Sequence, residues 1–149
     1  GSTGAPGADG PVGPIGPIGP IGPTGPATNA DAYSDSDTTT ILTANSWRTI
    51  SSIVMPPGNW QLNMSVSATA KRDFESHGPG TVLLQTRCYK STGVTLHSNS
   101  NTATNPSSSS SYSSPYTTGG SYTYSCQVYV DDKYDTGQAS ASITAVEIL

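Results

Sequence analysis

"WQLNMSVSATA", residues 60–70, alternates without a slip. Trp60, Leu62, Met64, Val66, Ala68 and Ala70 are separated by Gln61, Asn63, Ser65, Ser67 and Thr69. In extended chain a period of two puts all six apolar side chains on one face. A helix would scatter them around its circumference. The stretch therefore reads as a strand with one face in a core and the other in water. "PPG", Pro56 to Gly58, is the turn that feeds it.

The same pattern extends in both directions. "GTVLLQTRCY" (80–89) and "SYTYSCQVYV" (121–130) read as strands, with Val82, Leu84 and Cys88 on one parity of the first. Tyr122, Tyr124, Cys126, Val128 and Val130 share a parity in the second. "TTTILT" (38–43), "WRTISSIVM" (47–55), "GVTLHS" (93–98) and "ASASITAVEIL" (139–149) bring the total to about seven. No stretch carries a convincing amphipathic helical pattern. Short strands separated by turn signals predict an all-β head, an antiparallel β-sandwich or jelly roll. In the last strand Ile143 and Ala145 occupy one parity, Val146 and Ile148 the other. Two readings stand: a central strand inside one sandwich, or a strand whose second face meets neighbouring subunits at a three-fold axis.

Ahead of this head the rule changes. Glycine occupies every third position from Gly1 to Gly25, including Gly13, Gly16, Gly19 and Gly22, giving nine Gly-X-Y triplets that end at Ala27. Only glycine fits the axis where three polyproline-II chains wind together, so a strict period predicts a collagen-like triple helix. Proline at X in the last six triplets presets the backbone for it. The expected organisation is a stalk over 1–27, a rod of roughly 80 Å, and a head over 28–149, in a homotrimer. One charge, Asp9, cannot set the register of three chains, so the head is expected to do so. Gly1-Ser2 fits the period and also resembles a cloning remnant, which predicts a longer fibre upstream.

Composition narrows the function. The head carries nine acidic residues against six Lys and Arg, a formal −3. A weakly acidic surface argues against a nucleic-acid partner. No apolar run approaches the ~20 residues needed to span a membrane, so no membrane insertion is expected. Charged residues are 11% of the chain, while Ser, Thr and Asn abound. That composition is common in extracellular β proteins.

The succession "ILTANSWRTISSIVMPPGNWQLNMSVSATA", "TVLLQTRCY", "SYTYSCQVYV" and terminal "ITAVEIL" resembles the C-terminal heads of collagen-like phage tail-fibre and bacterial surface proteins. Pro56-Pro57-Gly58-Asn59-Trp60 stands where such heads carry a Pro-Ala-Gly-Xaa-Tyr turn, and Ile143-Thr144-Ala145 matches their terminal strand. The broader architecture is similar to tumour-necrosis-factor-like trimeric heads. The resemblance implies a recognition tip on a virion tail fibre or a bacterial surface.

Candidate residues follow. Cys88 and Cys126 fall on inward parities, either as a disulfide between neighbouring strands or as buried thiols; their spacing matches no zinc motif. "NSNTATNPSSSSSYSSPYTTGGSY" (99–122) reads as a long uncharged loop or hairpin. Its Tyr112 and Tyr116, with Asn105 and Tyr122, have the tyrosine-plus-small-polar chemistry of binding loops. "DFESHGPG" (73–80), with His77, is a second candidate loop. His77 and His97 otherwise read as surface residues. Asp31, Asp35, Asp37 and the turn "DDKYD" (131–135) read as solvated turn carboxylates, since neither matches a calcium loop. Trp60 reads as core; Trp47 reads as core or interface. No nucleophile motif or phosphate loop occurs, so no catalytic residue, metal or cofactor is expected. The expected function is a non-enzymatic tip that binds a cell-surface glycan or protein and registers the stalk. The alternatives are a purely structural trimerisation cap and, with less support, a polysaccharide-acting enzyme using a carboxylate pair.

Overall fold

A computed structural model describes residues 1–23, 30–41 and 43–149. Gly25 of the repeat and Leu42 of the expected first strand lie outside the described residues. Residues 1–23 form no hydrogen-bonded element and stand open to solvent, with Ile15, Ile18 and Ile21 each 99% exposed. The period gives this segment no apolar face with which to fold on itself.

Among the described residues the head is an all-β antiparallel sandwich of eight strands. They are β1 (Ala32–Thr40), β2 (Ser46–Met55), β3 (Gly58–Lys71), β4 (Val82–Lys90), β5 (Thr95–Ala103), β6 (Ser107–Thr118), β7 (Tyr122–Val130) and β8 (Thr136–Glu147). One sheet runs in the order β1-β8-β3-β6, the other β2-β7-β4-β5. The one helix among the described residues, α1 (Phe74–His77), is a single turn capped by Asp73, whose side chain accepts from the Glu75 N–H.

β3 holds the alternation that opened the reading. Its even residues from Trp60 to Ala70 are all buried and its odd ones face out. Opposite them the second sheet contributes Ile53, Met55, Val82, Leu84, Val128 and Val130. Each fully buried large side chain is worth about 1.5–3 kcal/mol. Gly58, at φ +154°, enters β3 in a conformation L-residues avoid; a Cβ there would lie 3.1 Å from Trp60 Nε1. That indole N–H donates to the Pro56 carbonyl at 3.1 Å. In β2 both Ile50 and Ile53 are buried although three apart. A bulge between Thr49 and Ser51 shifts the parity to allow it.

Two expectations are corrected. The serine-rich segment is no loop: 99–122 holds the end of β5, a turn and all of β6, so that eight strands meet the expectation of about seven or more. Ser108 and Ser110 point inward and bury, their hydroxyls each 3.0 Å from Thr86 Oγ1 across the sandwich. Their polarity hid the strand, and these hydrogen bonds make its burial tolerable. Pro115 is accommodated because β6 is an edge strand. Likewise Asp35 and Asp37 stand in β1, not a turn. Asp35 Oδ2 accepts from Ser51 Oγ at 3.1 Å and from the Ser52 N–H at 2.9 Å. This joins β1 of one sheet to β2 of the other. On the opposite edge Asn101 Nδ2 donates to the Ser107 carbonyl at 2.8 Å, at the β5–β6 crossing.

β8 lies between β1 and β3. Ile143 and Ala145 are fully buried, while Val146 and Ile148 are 44% and 45% exposed. No helix among the described residues is long and apolar enough to cross a membrane.

Candidate functional site: two outward faces

The residues expected to bind ligand are not gathered in one place. Tyr112 and Tyr116 sit on the inward parity of β6 and are half-buried. Tyr116 packs edge-to-face on Tyr124 at 5.5 Å, and Tyr112 on Tyr116 at 6.3 Å. Their rings are committed to the sandwich, which corrects the picture of loop aromatics free for contact. Tyr122 begins β7, with the Lys90 ammonium 3.8 Å from its ring centroid. Asn105 lies in the β5–β6 turn, beside Thr69 and Lys71 at the far end of β3. His77 is at the same far end. Its Nδ1 lies 2.7 Å from Asp135 Oδ1, and the Asp73 N–H donates to the other oxygen of that carboxylate. Arg72 donates to the carbonyls of His77 and Gly78, at 2.6 and 3.0 Å, and to that of Lys133 at 3.3 Å. "DFESHGPG" and "DDKYD" thus close into one hydrogen-bonded corner. Among the described residues no group of three His, Cys, Asp or Glu could hold a metal ion.

Cys88 and Cys126 are cross-strand partners in β4 and β7 and form a disulfide. Tyr124, next to this pair, is fully buried. Among the described residues its hydroxyl has no hydrogen-bond partner. Burial pushes its phenol up to about 12.

The sandwich presents two broad outer faces. Across the middle of the β1-β8-β3-β6 sheet the outward positions are small, polar and uncharged, with Lys71 at the far end of β3 and Asp37 at the β1 edge. Thr38, Ser140, Ser67 and Ser109 form one rung across the four strands, and Ser36, Ser142, Ser65 and Ser111 the next. Ser67 and Ser140 are hydrogen-bonded hydroxyl to hydroxyl at 3.1 Å. Two adjoining shallow depressions, about 320 and 610 Å³, run over these rungs. Towards the end where the chain enters β1 the face turns apolar: Ala32 pairs with Val146, and Ile148 follows.

The opposite face, on β2-β7-β4-β5, gathers aromatics around one cation. The Arg87 guanidinium carbon lies 4.0 Å from the ring centroid of Trp47 and 4.9 Å from that of Tyr89. Both distances are within cation–π range. Tyr129 stands 5.6 Å from Trp47. Arg87 Nε and Nη2 both donate to Gln127 Oε1, at 2.9 and 2.7 Å. Gln127, 8% exposed, is itself held by donating to Thr49 Oγ1 at 2.9 Å. Among the described residues no carboxylate pairs with Arg87. Beside it a depression of about 420 Å³ runs from Trp47 to Ser100.

Sequence reasoning missed this cluster because Arg87, Tyr89, Gln127 and Tyr129 belong to the half of a strand that an alternation argument assigns to water, and Trp47 was placed only as core or interface. The usable signal was "QTRCY": Gln85, Arg87 and Tyr89 on one outward parity, next to Gln127 and Tyr129 on another strand.

No known protein family matches the chain, and no curated protein sequence matches it. Among solved structures, that of infectious bursal disease virus, Gx strain, is similar over 88% of this chain. The TM-score is 0.43 and the identity 11%. The match covers 38% of the viral chain, well under two thirds of its length.

Proposed function

We propose that this chain is the trimeric end of an extracellular fibre: a collagen-like stalk over 1–27 and a head over 28–149 that registers the stalk and recognises a cell-surface glycan. The nine-triplet glycine period carries this reading, because a strict Gly-X-Y repeat has a physical use only when three chains share one axis. In support, the strand order is that of a jelly roll, and jelly-roll heads end the collagen stalks that the sequence resembles.

The face that meets the other two subunits is the one on β1-β8-β3-β6. Its two central rungs carry no charge, so burying them escapes the desolvation cost of ions, while Asp37 and Lys71 stand at the border. Its exposed Val146 and Ile148 lie where the chain enters the head, where the three-fold axis of a stalk would continue. Three copies on one rod give avidity, so weak single sites suffice for attachment. The disulfide suits an oxidising compartment, on a virion tail fibre or a bacterial surface. The head acts by binding, not by catalysis.

A second reading, a cap that only trimerises, is favoured by those same exposed C-terminal apolar residues. Binding of the fluorescent chain to a panel of bacterial and host cells separates the two. Saturable binding to one cell type supports a recognition tip. Trimers that bind no cell support the cap. In the same preparation the stalk gives a polyproline-II circular-dichroism signal with a cooperative melt. Gly16→Ala lowers that melt; an unchanged melt contradicts the triple helix.

A further inference from the structure

We propose that the outer face of the β2-β7-β4-β5 sheet is a binding site for a saccharide bearing a carboxylate, with Arg87 as the carboxylate anchor and Trp47 as the wall of the sugar subsite. This rests on the recognition-tip reading and gives it a place and a ligand class.

Arg87 is the starting point. A surface arginine ordinarily sweeps through many rotamers or pairs with a carboxylate. This one is fixed three ways, by the ring of Trp47, by that of Tyr89 and by the Gln127 carbonyl. Gln127 is neutral, so the guanidinium is held in place with its charge uncompensated. Gln127 occupies the Nε–Nη2 side of the group, and among the described residues nothing accepts from Nη1. The Nη1–Nη2 edge is therefore a preorganised pair of donors, matched in width to the two oxygens of a carboxylate. Fixing the side chain beforehand removes part of the ordering cost of binding.

The adjoining depression selects the rest of the ligand. Gln85, Ser98, Asn99 and Ser100 line it with amide and hydroxyl groups, and Trp47 gives its aromatic wall. Hydroxyls and amides beside an aromatic face suit a pyranose, whose polar edge and apolar CH face ask for those two surfaces. A peptide would need apolar pockets, and none of these residues except Trp47 offers one. A polyanion is disfavoured, because one guanidinium stands alone on a head of formal charge −3.

The test titrates the intact chain by calorimetry with 3′-sialyllactose and with a hyaluronan tetrasaccharide. Lactose and tetra-N-acetylchitotetraose are their uncharged counterparts. The proposal expects an acidic sugar to bind at least about tenfold more tightly than its neutral counterpart, and to weaken as salt rises. Arg87→Lys keeps the charge but loses the fork, and lowers that affinity about tenfold or more. Ser98→Glu, at an exposed position paired with Arg87 across β4 and β5, sets a competing carboxylate against the guanidinium and abolishes binding. Unchanged melting curves for both variants tie the losses to the site. Equal affinity for acidic and neutral sugars, or full affinity in Ser98→Glu, overturns the proposal. Cells settle which reading has failed. If the wild-type chain and Ser98→Glu bind cells equally, this site is wrong and the recognition tip stands. If the wild type binds no cell and no sugar, the tip reading falls and this proposal with it.

Discussion

The two outward faces of the sandwich share a backbone plan and differ in what they offer a partner. The middle of the β1-β8-β3-β6 face is a field of serine and threonine hydroxyls without charge or aromatic rings, bordered by Asp37 and Lys71. The β2-β7-β4-β5 face has one fixed cation among three aromatic rings. Short neutral side chains leave a flat surface that two identical copies can cover without stranding a charge. A preorganised cation beside aromatics is specific in what it accepts. On the proposed function the first face is the one for self-association and the second the one for ligand.

The sharpest way to break that contrast is to put the same charge on each face. Ser142→Asp, in β8, places three carboxylates near one another at the proposed interface and should convert trimer to monomer in sedimentation velocity. Thr102→Asp, on the exposed β5 of the other face, should leave the trimer intact. If both variants stay trimeric, the interface lies elsewhere.

Next in size is the disulfide behind the ligand face. Cys88→Ala with Cys126→Ala removes the cross-link between β4 and β7 and should lower stability by about 2–4 kcal/mol, read by denaturant unfolding. β1-β8-β3-β6 has no equivalent bond, so hydrogen exchange should rise first in β4 and β7.

Behind the hydroxyl face, at its β6 edge, Thr86 holds the two buried serines. Thr86→Val keeps the shape and removes the side-chain partner of Ser108, while Ser110 keeps its bond to the Thr86 carbonyl, and should cost about 1–3 kcal/mol. This region also shows what sequence could and could not disclose. β3 was plain at sight because its buried side chains are apolar and strictly alternate. β6 was hidden because "SSSSSYSS" buries hydroxyls, and hydroxyls read as loop until Thr86 is known to lie across from them. The parity of Cys88 and Cys126 was legible; their register was not, since it depends on which strands become neighbours. Tyr112 and Tyr116 looked free because no strand was seen around them. Arg87 drew no notice because its meaning depends on Trp47 in β2 and Gln127 in β7, 40 residues away on either side. Local pattern reveals which face a residue takes, while a site is made of residues from several strands.

The smallest expected effect concerns Tyr124. Its hydroxyl is buried and has no hydrogen-bond partner among the described residues, and burial pushes the phenol up to about 12. The folded form keeps the proton; above the free value of 10 the unfolded chain loses it. Stability should therefore fall between pH 10 and about 12, by at most about 1.4 kcal/mol per pH unit. Tyr124→Phe should make that decline shallower and leave stability at pH 7 equal or slightly higher. A clear loss at pH 7 would mean that the hydroxyl has a partner.

All of these contrasts assume three chains. The most direct test is the mass of the intact chain in dilute solution, by mass photometry or sedimentation equilibrium. The account predicts a single species at three times the 15.3 kDa chain mass, persisting under non-reducing conditions. A species at 15.3 kDa would contradict it, and with it the assignment of the hydroxyl face to self-association.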